Sequence, residues 1–163
     1  NFNSGRLVLS PLGAAWKYLD NGSDQGTAWR AIDFDDTSWS EGSGRLGFGT
    51  DAAANTPIRR YLSGSSGPQV TNYYFRRAFV VTNDPSDLAS VQFRYQRDDG
   101  CVIYLNGTPV ITNNMPTGPI TFQTFASMTI SPASETQRFH TNTFPVSVLR
   151  QACISGVTVK ENS

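Results

Sequence analysis

Side chains able to do chemistry are few in this chain, and they come in pairs. Asp35-Asp36 and Asp98-Asp99 are adjacent acids, the second pair preceded by Arg97. Hydrolysis by paired acids would need two carboxylates roughly 5 to 10 Å apart across a cleft, and neighbours in one turn or strand seldom converge on one bond. His140 is the single histidine, and Cys101 and Cys153 are the only cysteines. No nucleophile elbow and no His-rich metal spacing is present, so catalysis is not expected. His140 reads as a strand residue. Recognition suits these residues better. Arg97, Asp98 and Asp99 could grip hydroxyl groups bidentately beside an aromatic wall, and Asn114, in the loop Asn113-Asn114-Met115-Pro116, could touch the same ligand. The competing reading of Asp98 and Asp99 is a turn whose carboxylates accept backbone N–H groups.

Aromatic residues could supply the wall. Sugar rings present C–H faces that pack on flat aromatic side chains, which bury area at little entropic cost. Tyr61 and Tyr73 flank the loop Ser63-Gly64-Ser65-Ser66-Gly67-Pro68 and are candidates for sugar stacking, on a rim that is an alternative to the one near Asp98. Trp16, Trp29 and Trp39 could stack on sugar as well. Asp20-Asn21-Gly22-Ser23-Asp24 alternates oxygen-bearing side chains around a glycine, which offers calcium a set of hard ligands from Asp20, Asn21 and Asp24. No Glu stands at the twelfth position, so it is not an EF-hand loop, and a solvated Asx turn is the alternative.

These residues must be held by strands. Arg97-Asp98-Asp99-Gly100 supplies a turn, Cys101 to Leu105 a β-branched and aromatic run, and Asn106-Gly107 before Thr108-Pro109-Val110-Ile111 a two-residue hairpin. Further strand-like runs are Arg6 to Leu9, Trp29 to Ile32, Tyr73 to Val81, Val91 to Gln96, Pro109 to Thr112, Thr121 to Phe125, Arg138 to Phe144 and Ile154 to Val159. Gly, Pro, Ser, Asn and Asp clusters separate them, and no helical periodicity competes. Many short strands with regular turns predict a sandwich or closed barrel. Alternation puts Cys101 in phase with Ile103 and Leu105, and Cys153 with Val157 and Val159. Both are expected in the core, as a disulfide or as two separate thiols. Arg77 falls in the inward phase of its strand and needs a carbonyl or a carboxylate partner, with Asp36 and Asp99 as the candidate carboxylates.

At 163 residues the chain suits one domain spanning 1–163 with one core. Thirteen basic residues balance thirteen acidic ones, which argues against nonspecific binding to nucleic acid or to anionic membrane. Charged residues are 16% of the chain, a balance that suits an exported bacterial β-protein. No apolar stretch long enough to span a bilayer and no basic-then-apolar leader is seen. A secreted monomer, cut from something larger, is the expectation.

Eight short motifs in order add a resemblance. They are Trp16-Lys17-Tyr18-Leu19-Asp20, Gly22 to Trp29, Phe34-Asp35-Asp36-Thr37-Ser38-Trp39, Leu46-Gly47-Phe48-Gly49, Tyr74-Phe75-Arg76-Arg77, Arg97-Asp98-Asp99-Gly100, Tyr104-Leu105-Asn106-Gly107 and Asn114-Met115-Pro116. From about Gly13 to Glu161 the chain resembles a galactose-binding-like jelly-roll module of large secreted bacterial proteins. More distantly it resembles the sugar-binding domain of family-two glycoside hydrolases. The closing strand departs from that pattern, with Thr158 and Lys160 where the family carries Glu and His. The resemblance implies an all-β, two-sheet antiparallel β-sandwich that binds polysaccharide or oligosaccharide through loops at one rim, often with a structural calcium ion. It also implies that Trp29 and Trp39 bracket a turn and pin it to the sandwich, and that a companion domain exists in a larger secreted protein.

Overall fold

The computed structural model describes residues 7–48, 54–82, 84–130 and 138–149, and the backbone of 154–162. Among them lie ten strands: β1 (Ala15–Leu19), β2 (Ser40–Ser43), β3 (Leu46–Gly47), β4 (Thr56–Pro57), β5 (Tyr73–Val80), β6 (Ser90–Tyr95), β7 (Gly100–Leu105), β8 (Thr108–Asn113), β9 (His140–Pro145) and β10 (Ile154–Asn162). A six-stranded sheet runs β2-β1-β5-β10-β7-β8, antiparallel throughout. β6 and β9 form an antiparallel pair, and β3 and β4 a short parallel one. The fold is the all-β sandwich expected. The β3–β4 pair is a local exception to its antiparallel character.

β7 shows why the strand signal was so strong. Its residues alternate between faces, yet all six are buried, because the large sheet is covered on both sides. Cys101, Ile103 and Leu105 pack inside the sandwich with Tyr95, Ile111 and Leu149, against Phe93 and Phe144 from the β6–β9 layer. Val102 and Tyr104 point the other way, into a second cluster with Tyr74, Trp29 and Trp39. A third cluster joins Tyr73 and Phe75 to Ile58 and Val70, with Leu46 and Phe48 packed against it. The turn after β7 is the two-residue hairpin expected: Leu105 faces Thr108, and Asn106 and Gly107 take φ of 50° and 79°, a left-handed pair that Asn and Gly adopt most readily.

Three strand expectations fail. Trp29 to Ile32 is not a strand, since Ala28–Arg30 forms a 3-10 turn closed by Arg30 N–H to Thr27 O (3.1 Å) and Ala31 N–H to Ala28 O (3.0 Å). The reason is tertiary. Trp29 is 1% exposed and lies edge-on to Tyr74 and Tyr104, with ring centroids 4.9 and 5.4 Å away. The Arg76 guanidinium takes up the turn's carbonyls at Trp29 and Ala31. Thr121 to Phe125 is a turn held by Thr121 N–H to Thr124 Oγ1 at 2.9 Å. Leu7 to Leu9 carries no strand, and Arg6 lies outside the described residues. The runs had not marked β1 to β4 as strands. β2 and the short β3 and β4 have too few apolar residues to show alternation.

Arg77 meets the carbonyl alternative, since its Nη1 donates to Ala15 O at 2.6 Å. Neither Asp36 nor Asp99 pairs with it. Asp36 instead binds the neighbouring Arg76, whose Nε reaches Asp36 Oδ2 at 2.8 Å on the opposite face of the sheet. Cys101 is fully buried; Cys153, and with it the choice between a disulfide and two separate thiols, lies outside the described residues.

Candidate binding rim

Register decides which loops meet. Glu161 faces Tyr73 on one side and Cys101 on the other, and Leu19 faces Tyr74. The end of β1, the start of β5 and the start of β7 therefore share one end of the sheet. The loops bearing Asp20 to Asp24, Tyr61, Arg97 to Asp99 and Asn114 all gather there. In sequence the Asp98 rim and the Tyr61 rim were alternatives. Strand order makes them one end, with the end of β10 between them.

Most polar groups at this rim bind the protein itself. Asp99 is 9% exposed, and its Oδ1 accepts the Ile130 N–H at 2.8 Å. Asn114, at φ 53°, donates from Nδ2 to Asp99 O (2.9 Å) and to Met128 O (2.6 Å), and its carbonyl accepts the Ser127 N–H. Arg97 Nε donates to Asn113 Oδ1 at 2.6 Å. Gly100 sits under this knot. A Cβ there would meet Met115 Sδ at 2.7 Å and Asn114 O at 2.8 Å, so close approach demands glycine. Asp98 is exposed.

Tyr73 is 1% exposed and donates its hydroxyl to Arg59 O at 2.7 Å; it faces the core rather than the rim surface. Tyr61 is half-buried, bridged to Gln69, with the Arg60 guanidinium 5.5 Å from its ring centroid. His140 stacks on Tyr95 at 5.4 Å. Burial, with smaller contributions from the Arg97 and Arg138 charges, holds its pKa below the usual value.

Sequence reasoning overlooked Phe125 and Met128. They are 59% and 68% exposed on the strap that Asp99 and Asn114 pin to the rim. Phe125 closed a run, Thr121 to Phe125, that reads as a strand, and Met128 lay beyond it; the structure makes the run a turn instead.

The residues proposed for calcium are engaged otherwise. Asp20 Oδ2 accepts the Arg59 N–H at 2.8 Å, with the Arg59 Nε 3.9 Å from Oδ1. Asn21 Oδ1 accepts the Ser23 N–H and hydroxyl, and Asp24 Oδ1 the Gly26 N–H. Two Asx turns and an ion pair thus occupy the loop. Among the described residues no cluster of three or more His, Cys, Asp or Glu is placed to hold a metal.

No protein-family model matches the chain. No curated protein matches it either. Solved structures do. A β-glucuronidase from glycoside hydrolase family 2 superposes with a TM-score of 0.53 at 14% identity, over 97% of this chain and 15% of its own. The Bifidobacterium dentium β-glucuronidase complexed with coumarin-3-O-glucuronide gives 0.54 at 14% identity, over 95% of this chain and 20% of its own. A β-glycosidase from Bacteroides vulgatus gives 0.56 at 10%, covering 94% and 17%. The likeness at such identities is one of fold: this chain has the β-sandwich of a segment that makes up a fifth or less of these glycosidases.

Proposed function

We propose that the chain is a non-catalytic carbohydrate-binding module that holds a larger secreted bacterial protein, such as a glycosidase, near polysaccharide. The observation that carries this reading is the exposed ring of Phe125, on a strap tied to the Asp99–Asn114 knot beside Asp98 and Arg97. An aromatic face next to charged donors and acceptors is what a sugar needs, since stacking supplies most of the net gain when hydroxyls merely exchange water for protein. Of the candidates, Asp98, Arg97 and Tyr61 keep surface for a ligand. Asp99 and Asn114 shape the rim. Binding at one such site is weak, and tethering to a companion domain raises the effective concentration. The coverage of the glycosidase chains above supports a companion domain.

Pull-down on insoluble polysaccharides and a glycan array, with calcium and with chelator, test the reading. Retention is expected, with loss on Phe125→Ala and weakening on Asp98→Ala. Chelator is expected to change neither retention nor melting, because Asp20, Asn21 and Asp24 each already accept a hydrogen bond within the protein. No retention on any glycan would favour the second reading, in which Phe125 and Met128 form an apolar strip that packs against the companion domain.

A further inference from the structure

Asparagine followed by glycine occurs twice in the chain, at Asn21-Gly22 and at Asn106-Gly107. The dipeptide is reactive as well as turn-forming, because a glycine without Cβ leaves its amide nitrogen open to the side-chain carbonyl of the residue before it. The fold treats the two copies differently. Asn106 is half-buried at the hairpin tip and held at φ 50° by the pairing of Leu105 with Thr108. Its Oδ1 is enclosed and finds no donor among the described residues. The tip also packs on the Arg30 turn, so closely that a Cβ on Gly107 would lie 3.4 Å from Arg30 O. Ladder and packing together keep this copy from rotating.

Asn21 is exposed in the loop after β1. An Asx turn curls its amide back along its own backbone, with Oδ1 accepting the Ser23 N–H at 3.0 Å and the Ser23 hydroxyl at 2.6 Å. Gln25 Nε2 donates to Ser23 Oγ at 2.9 Å, so the hydroxyl proton is directed at Asn21. Two donors therefore converge on the oxygen that becomes negative when a nucleophile adds to Asn21 Cγ, which is the arrangement of an oxyanion hole. The Gly22 nitrogen is the adjoining nucleophile, and its N–H meets no acceptor among the described residues.

We infer that Asn21 is a site of spontaneous deamidation, promoted by the Ser23 donors, and that the fold protects Asn106 from the same reaction. The Gly22 nitrogen attacks Asn21 Cγ, the bond from Cγ to the side-chain nitrogen breaks, and ammonia leaves with the former Gly22 proton. The five-membered succinimide that remains is opened by water at either carbonyl, giving aspartate or isoaspartate. Water is the only co-reactant. The product places a third carboxylate among residues 20–24, beside the Asp20–Arg59 pair, and lowers the net charge of zero by one. The isoaspartate form also carries the main chain through Cβ and so dismantles the Asx turn. No ligand is needed, so this modification stands apart from glycan binding at the rim.

Incubation of the 163-residue chain in warm, mildly alkaline buffer, with peptide mapping by mass spectrometry at intervals, tests the inference. Conversion of amide to acid at position 21 is expected to run at least about tenfold faster than at position 106, since local opening must precede reaction at the hairpin. In urea the two copies should react at rates within about twofold of each other, because both are then exposed chain. Ser23→Ala removes the hydroxyl donor and should slow Asn21 by about three- to tenfold in the folded chain, with the melting temperature retained and the rate in urea unchanged. Equal rates at the two positions in the folded chain, a similar difference persisting in urea, or an undiminished rate at Asn21 in folded Ser23→Ala would overturn the proposal.

Discussion

The two ends of the six-stranded sheet treat their polar residues differently. At the rim, Asn21 and Asp24 accept within their own loop, and Asp20, Asp99, Asn113 and Asn114 accept or donate across to a neighbouring segment. At the hairpin end, Arg30 Nε and Asn106 Oδ1 are enclosed without partners among the described residues. Asp and Asn are the side chains that most readily close turns on their own backbone. A loop rich in them therefore looks like a binding site in sequence and spends that capacity on its own shape. The function proposed at the rim rests on its exposed surface, Phe125 and Asp98. At the hairpin end the groups left over were placed by long-range packing.

The comparison can be broken most severely at Trp29, which supports the hairpin end from below. Trp29→Ala should cost about 3 to 5 kcal/mol by urea denaturation, as large aromatic truncations do. A loss under about 1 kcal/mol would mean that the cluster of Trp29, Tyr74 and Tyr104 is not a core. Asp36→Ala comes next. It strands the Arg76 guanidinium, 11% exposed, and should cost about 2 to 3 kcal/mol, less than a fully buried pair because Asp36 retains contact with water.

Asp99→Ala sharpens the picture of the rim. It removes the acceptor for Ile130 N–H and should cost about 1 to 3 kcal/mol. Amide exchange at Ile130 should accelerate while that of β7 is unchanged; slow exchange at Ile130 in the variant would mean that the knot does not depend on Asp99.

The smallest effect concerns pH. Folding depresses the His140 pKa, through burial first and then through Arg97 and Arg138. The unfolded chain thus takes up this proton at higher pH than the folded one. Stability from this group is constant above about pH 7 and declines as pH falls through the unfolded value near 6.5 toward the lower folded value. His140→Gln should flatten that decline in melting temperature between about pH 7 and pH 5. An unchanged slope would show that His140 is as free to protonate in the fold as out of it.

Local chemistry was legible where it was self-sufficient. The Asn106-Gly107 hairpin, the alternation of β5, β7 and β8, and the Asx turns at Asn21 and Asp24 each follow from residues within a few positions of one another. Those steric and hydrogen-bonding rules need no distant partner. The tertiary structure alone decided that Trp29 caps a face of the sheet instead of extending a strand, and that Arg76 takes Asp36 while Arg77 takes a carbonyl. It also turned Tyr73 inward, joined two rims at one end and set Arg30 beside Asn106. Each of these depends on strand order and on which face of the sheet another segment covers. Such contacts link residues up to 76 positions apart, and no local pattern in the chain records them.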